Sequence, residues 1–127
     1  MSDPVRINDT CGMIVQLPLT GFWGTDEELD SSDLLAEVME ELLQRHGCGR
    51  FDGTDCGSGT RNLFIYEIRD QDWDRALDLV LEELRRRGLA NQALIAKSVL
   101  VGPEEGPWAE HSVAWPKDFR GEFSVLG

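Results

Sequence analysis

A chain of 127 residues, 41% apolar and 28% charged, has the make-up of one globular domain long enough to bury a continuous core. No window approaches about 18 unbroken apolar residues, and the start, Met-Ser-Asp-Pro-Val-Arg-Ile, shows no secretory pattern, so no membrane contact and a cytoplasmic location are expected. The formal net charge of −12, from 24 acids against 12 bases, repels a phosphate backbone and argues against nucleic-acid binding.

Residues 11–19, CGMIVQLPL, form an apolar run with β-branched members that predicts a buried strand, ended by or edged at Pro18. The link Thr20-Gly21-Phe22-Trp23-Gly24 reads as a turn whose two aromatic rings are expected to cover the open end of the core. A helix follows. Thr25 and Glu28 have the spacing of a capping box, and Ser31 or Ser32 with Asp33 offers a second start. Leu34, Leu35, Val38, Met39, Leu42 and Leu43 repeat as one apolar stripe, and Gly47 is the expected stop.

Residues 48–59, CGRFDGTDCGSG, hold four glycines after Cys48 and two aspartates, a composition that suits an irregular, bulged strand leading into a turn at Gly57-Ser58-Gly59. Residues 62–69, NLFIYEIR, predict a central strand paired with that segment as a hairpin. Asp70 or Asp72 then caps a second helix, in which Trp73, Ala76, Leu77, Val80, Leu81 and Leu84 mark the buried face. Arg85, Arg86 and Arg87 complement its C-terminal dipole, and Gly88 ends it. Residues 93–101 give a fourth strand. Beyond the breaker-rich loop 102–107, the stretch to Gly127 is expected to wrap the domain and to add at most one short edge strand.

Strand, helix, two strands, helix, strand is the ferredoxin-like order. The predicted class is therefore α+β: a βαββαβ sandwich with a four-stranded antiparallel sheet, both helices on one face, a core over 11–101 and a C-terminal extension over 102–127. The other face of the sheet is left for the tail or a second chain to cover.

Chemistry is sparse. Cys11, Cys48 and Cys56 are odd in number and, with His46 and His111, match no paired zinc spacing, so packing roles and no metal are expected. Asp52-Gly53-Thr54-Asp55 lacks the alternating oxygen ligands of a calcium loop. Gly57-Ser58-Gly59 meets neither the nucleophile-elbow nor the dinucleotide pattern. No catalytic residue and no cofactor are assigned. Closely spaced glycines nonetheless allow a backbone to approach a ligand, which makes Asp52, Gly53, Asp55, Gly57, Ser58 and Gly59 the candidate ligand- or partner-binding segment. A twisted, bulged hairpin explains the same residues without a ligand. Trp108, Trp115 and Phe119 are the candidate interface.

The pattern Gly49-x-Phe51-Asp52-Gly53, then Gly57-x-Gly59 and the strand Leu63-Phe64-Ile65-Tyr66, resembles small bacterial ferredoxin-like proteins of unknown function over residues 13–101. The resemblance implies a fold and a bacterial origin and brings no catalytic residue with it. Acidity and the missing catalytic signatures lead to the expectation of a non-enzymatic interaction or regulatory domain that engages, and neutralises, a basic protein partner. A small-ligand or enzymatic domain using residues 49–59, a structural subunit and a homodimer remain alternatives.

Overall fold

The fold is that of a computed structural model, which describes residues 6, 8–103, 105–121 and 123. In chain order it runs β1 (Thr10–Pro18), α1 (Asp26–His46), β2 (Arg50–Gly57), β3 (Thr60–Arg69), a short 3-10 turn (Asp70–Asp72), α2 (Trp73–Arg86), β4 (Leu94–Val101) and β5 (Trp108–Trp115). The strands form one open antiparallel sheet in the order β2-β3-β1-β4-β5. The expected four-stranded sheet is thus corrected to five strands. Residues 108–115 pair with β4 from Ile95 to Val101, because the breaker-rich loop turns the chain back where β4 still has unpaired backbone groups.

Alternation along β1 divides the sheet into two faces. Met13, Val15 and Leu17 join Leu63, Ile65 and Ile95 in a core cluster with Leu35, Met39 and Leu43 of α1 and Ala76, Val80 and Leu84 of α2. Both helices therefore pack on the same face. Gly12, Ile14 and Gln16 point to the other face, which carries no helix among the described residues. None of the described helices is long and apolar enough to cross a membrane.

Helix α1 begins at the capping box: the Thr25 hydroxyl accepts from the Glu28 amide at 3.1 Å, and the Glu28 carboxylate accepts from the Thr25 amide at 2.9 Å. Ser31 and Ser32 lie inside the helix. Its buried stripe centres on Leu35, Met39 and Leu43, so Leu34, one step around the cylinder, faces water. Both helices end alike. Gly47 and Gly88 take positive φ while Cys48 and Leu89 donate back to the carbonyls of Leu43 and Leu84. The expected aspartate cap of α2 is absent: Asp72 makes no cap bond and accepts instead from Arg69 Nε at 2.9 Å.

Candidate functional site

The six residues singled out in the glycine-rich segment do not form one site. At the far end of the hairpin, Ser58 and Gly59 both have positive φ, the requirement of a two-residue type I′ loop. The Gly59 amide donates to the Phe22 carbonyl at 2.9 Å, and the Leu19 amide donates to the Gly59 carbonyl at 2.8 Å. A Cβ on Gly59 would stand 3.3 Å from the Gly21 carbonyl oxygen, so the bare glycine lets the hairpin tip press against the β1–α1 loop. Gly57 is buried beside this turn, and its carbonyl accepts from the Thr60 hydroxyl at 3.3 Å.

That loop is further tied by Glu28. Its carboxylate accepts from the amide and hydroxyl of Thr20 as well as from Thr25. These backbone hydrogen bonds, from Thr20 first and then Thr25, hold the Glu28 carboxyl below the ordinary glutamate range. On the loop so fixed, Phe22 and Trp23 meet edge to face at 4.7 Å and stand in water, 53% and 62% exposed. The expectation that they cover the core is corrected: both rings are exposed, and the Phe22 carbonyl is tied to the hairpin tip by the Gly59 amide. Asp26, Glu27 and Asp30 follow in the first turns of α1, and none has a cationic partner among the described residues. Asp33, by contrast, is bonded to Arg61. Leu17, Leu19 and Leu89 line a hollow of about 240 Å³ whose rim includes Glu27.

Asp52, Gly53 and Asp55 belong to a second place, the helix-free face. A bulge between Phe51 and Gly53 turns Phe51 toward the core and leaves Arg50 and Asp52 on the opposite side. Asp55 accepts from Asn62 Nδ2 at 2.9 Å, and Asn62 accepts from Gln16 Nε2 at 3.0 Å, a polar row across three strands. A Cβ on Gly53 would meet nothing within 4 Å. Beside this row, Gly12, Ile14, Phe64, Tyr66, Ser98 and Leu100 line a hollow of about 460 Å³. A Cβ on Gly12 would lie 2.9 Å from Tyr66 Cδ1, so the Tyr66 ring rests on the backbone of β1. Burial, and then the carboxylates of Asp52 and Asp55, push the Tyr66 phenol above its ordinary pKa.

The candidate interface divides too. Trp115 is committed to its own domain: it packs on the core, its indole donates to the Ala90 carbonyl at 2.9 Å, and the Arg85 guanidinium lies 5.4 Å from its ring centre. Trp108 is exposed against Gly102, and Phe119 is half-buried in the turn after β5. His111 stands edge-on to Phe123 at 5.9 Å. Of the cysteines, Cys11 and Cys48 are buried in the core cluster, with the Cys11 thiol pushed up by burial, and Cys56 is half-buried on β2. Among the described residues no group of three or more His, Cys, Asp or Glu side chains is placed to hold a metal ion.

Sequence reasoning missed both the exposed aromatic pair and the lining of the larger hollow. Phe64 and Tyr66 alternate with Leu63 and Ile65, and four consecutive large side chains on one strand were a signal that the second face carries apolar surface as well. Comparison with protein-family models, with curated proteins and with solved structures finds no match to this chain.

Proposed function

We propose that this chain is a non-enzymatic interaction domain that captures a basic protein and masks part of its surface. The observation that supports this most directly is the pair Phe22–Trp23, held in water by a loop with fixed backbone beside Asp26, Glu27 and Asp30, which have no cationic partner among the described residues. Aromatic side chains that are exposed and pre-organised serve as anchors, because little further ordering opposes their burial in a partner's cleft. The adjoining acids set the partner's character: lysines or arginines flanking an apolar cleft. They also disfavour a twin chain here, since a two-fold interface would set this acidic patch against itself.

The scaffold in this reading is a ferredoxin-like core, supported by the order β4-β1-β3-β2 of the first four strands, with β5 added outside β4. The likeness to small bacterial ferredoxin-like proteins is part of the same proposal and rests on the glycine-rich hairpin and the strand after it.

Panning the immobilised protein against a phage-displayed library of random peptides tests the function. Enriched peptides should pair lysine or arginine with a large apolar residue, lose binding in Trp23→Ala, and weaken as salt rises. Enrichment of acidic or uncharged peptides, no enrichment, or binding unchanged in the Phe22→Ala/Trp23→Ala double variant would overturn it.

A further inference from the structure

The hollow on the helix-free face is separate from the aromatic loop and has a chemistry of its own. Its floor is apolar and is made by regular strands: Ile14 from β1, Phe64 and Tyr66 from β3, and Leu100 from β4. Ile14 is only 2% exposed, so it backs the floor while Phe64, Tyr66 and Leu100 present its surface. Phe64 and Tyr66 lie nearly parallel, 8° apart with ring centres separated by 6.4 Å, and so form one continuous aromatic wall. Gly12 is what admits the Tyr66 ring to that position, since any side chain there would collide with it.

Charge is distributed unevenly around this wall. Glu67 lines the hollow next to Tyr66 from a bulge where its φ is +59°. Asp52 and Asp55 stand on the same face of the neighbouring strand β2, outside the lining itself. Against these three carboxylates stands one guanidinium, Arg50, which bridges Asp52 at 3.0 Å and Glu67 at 3.3 Å. Arg6, bonded to the Thr10 carbonyl, is committed to Asp70 through contacts of 2.6 and 2.9 Å. Lys97 lies over Trp73, which belongs to the helix-side core cluster. The β2 side of the hollow therefore keeps a negative excess after Arg50 is counted against its acids. The side toward β4 and β5 is lined by Ser98, Ala109 and His111 and carries no carboxylate among the described residues.

We propose that this hollow is a binding site for a small amphipathic amine, its apolar body on Phe64 and Leu100 and its ammonium group turned toward the acidic β2 side at Glu67. The volume of the open hollow suits a ligand of one or two rings. An ammonium group over the face of the Tyr66 ring gains from the ring and from the nearby acids together, whereas a carboxylate on the same body meets like charge. The site is independent of the protein-capture surface, since Phe22 and Trp23 take no part in its lining.

Three indoles that differ only in their side-chain charge test this: tryptamine, indole-3-ethanol and indole-3-acetate, each titrated into the isotope-labelled full chain and followed by backbone amide shifts. Tryptamine should move Gly12, Ile14, Ser98 and His111 and bind about tenfold more tightly than the neutral indole, with the acetate weakest. Glu67→Gln should weaken tryptamine about threefold and leave indole-3-ethanol unchanged. Ala109→Trp, on the exposed edge strand, should fill the mouth and abolish binding while the amide spectrum stays dispersed. Trp23→Ala should bind tryptamine as the unaltered protein does, which separates this site from the protein-capture surface. Equal binding of all three indoles, no binding, or shifts confined to the Phe22–Trp23 loop or the helices would overturn the proposal.

Discussion

Tyr66 is the one tyrosine in the chain, so its ionisation can be followed by phenolate absorbance without interference from another. Burial in the hollow raises its pKa first, and the carboxylates of Asp52 and Asp55 raise it further. Folded Tyr66 thus holds its proton more tightly than an unfolded tyrosine, which titrates near about 10. The stability it contributes is complete below that value and is lost as pH rises through the higher folded value. Asp52→Asn and Asp55→Asn should each lower the midpoint, and together by more, while the part due to burial persists. A midpoint unmoved in the double variant would mean that the two acids do not act on the hollow. The sequence showed these residues without showing their relation. Asp52 and Asp55 stood out because of the glycines around them, but only the bulge at Phe51/Gly53 decides which face of the sheet Asp52 joins. A one-residue shift in pairing reverses the face, and composition does not encode that shift.

At the scale of elements, the helices were the most legible part of the chain, because a capping box and an apolar stripe are local signals. The correction at Leu34 shows the limit: six apolar residues fit one stripe on paper, but the sheet beneath buries an arc centred on Leu35, Met39 and Leu43. The link before α1 was less legible. Its rings were expected inside on hydrophobicity alone, although apolar residues also make up much of any protein surface. What fixes them outside lies beyond the link itself: the bond the Gly59 amide donates to Phe22, the one the Gly59 carbonyl accepts from Leu19, and the contacts of Thr20 with Glu28. Thr25→Ala should therefore do two things. Loss of the cap costs about 1 kcal/mol, visible as a melting point lower by a few degrees, and amides from Gly21 to Gly24 should exchange faster with solvent. Glu28 sets the acid dependence of the same unit. Its lowered pKa means stability that is present above the ordinary glutamate range and lost as pH falls through the lower folded value. Glu28→Ala should melt with a shallower dependence on pH across the acid range. An unchanged dependence would detach Glu28 from the loop.

For the whole molecule, strand order and the position of the helices followed from alternating periodic segments, while the fifth strand did not. Trp108–Trp115 mixes Glu110, His111 and Ser112 with its aromatics, and an edge strand with one neighbour needs no steady alternation to pair. The consequence is that the C-terminal extension is part of the sheet, and removing it tests how the whole is held. Truncation after Val101 would strip the pairing from β4, leave its backbone groups exposed, and withdraw Trp115 from the core and from Ala90. A fully buried tryptophan is worth about 3–5 kcal/mol on truncation to alanine, so half-buried Trp115 should account for about 2 kcal/mol, measurable alone in Trp115→Ala. The truncated chain should melt below that variant because it also loses the ladder of β5. It should associate in sedimentation experiments, since a bare, apolar β4 is a template for another chain, whereas Trp115→Ala keeps its edge covered and should not. The larger hollow would lose its Ala109 and His111 side at the same time. A shortened protein that keeps the melting temperature and association state of the full chain would show that β1 to β4 stand alone and that β5 is an addition without structural weight.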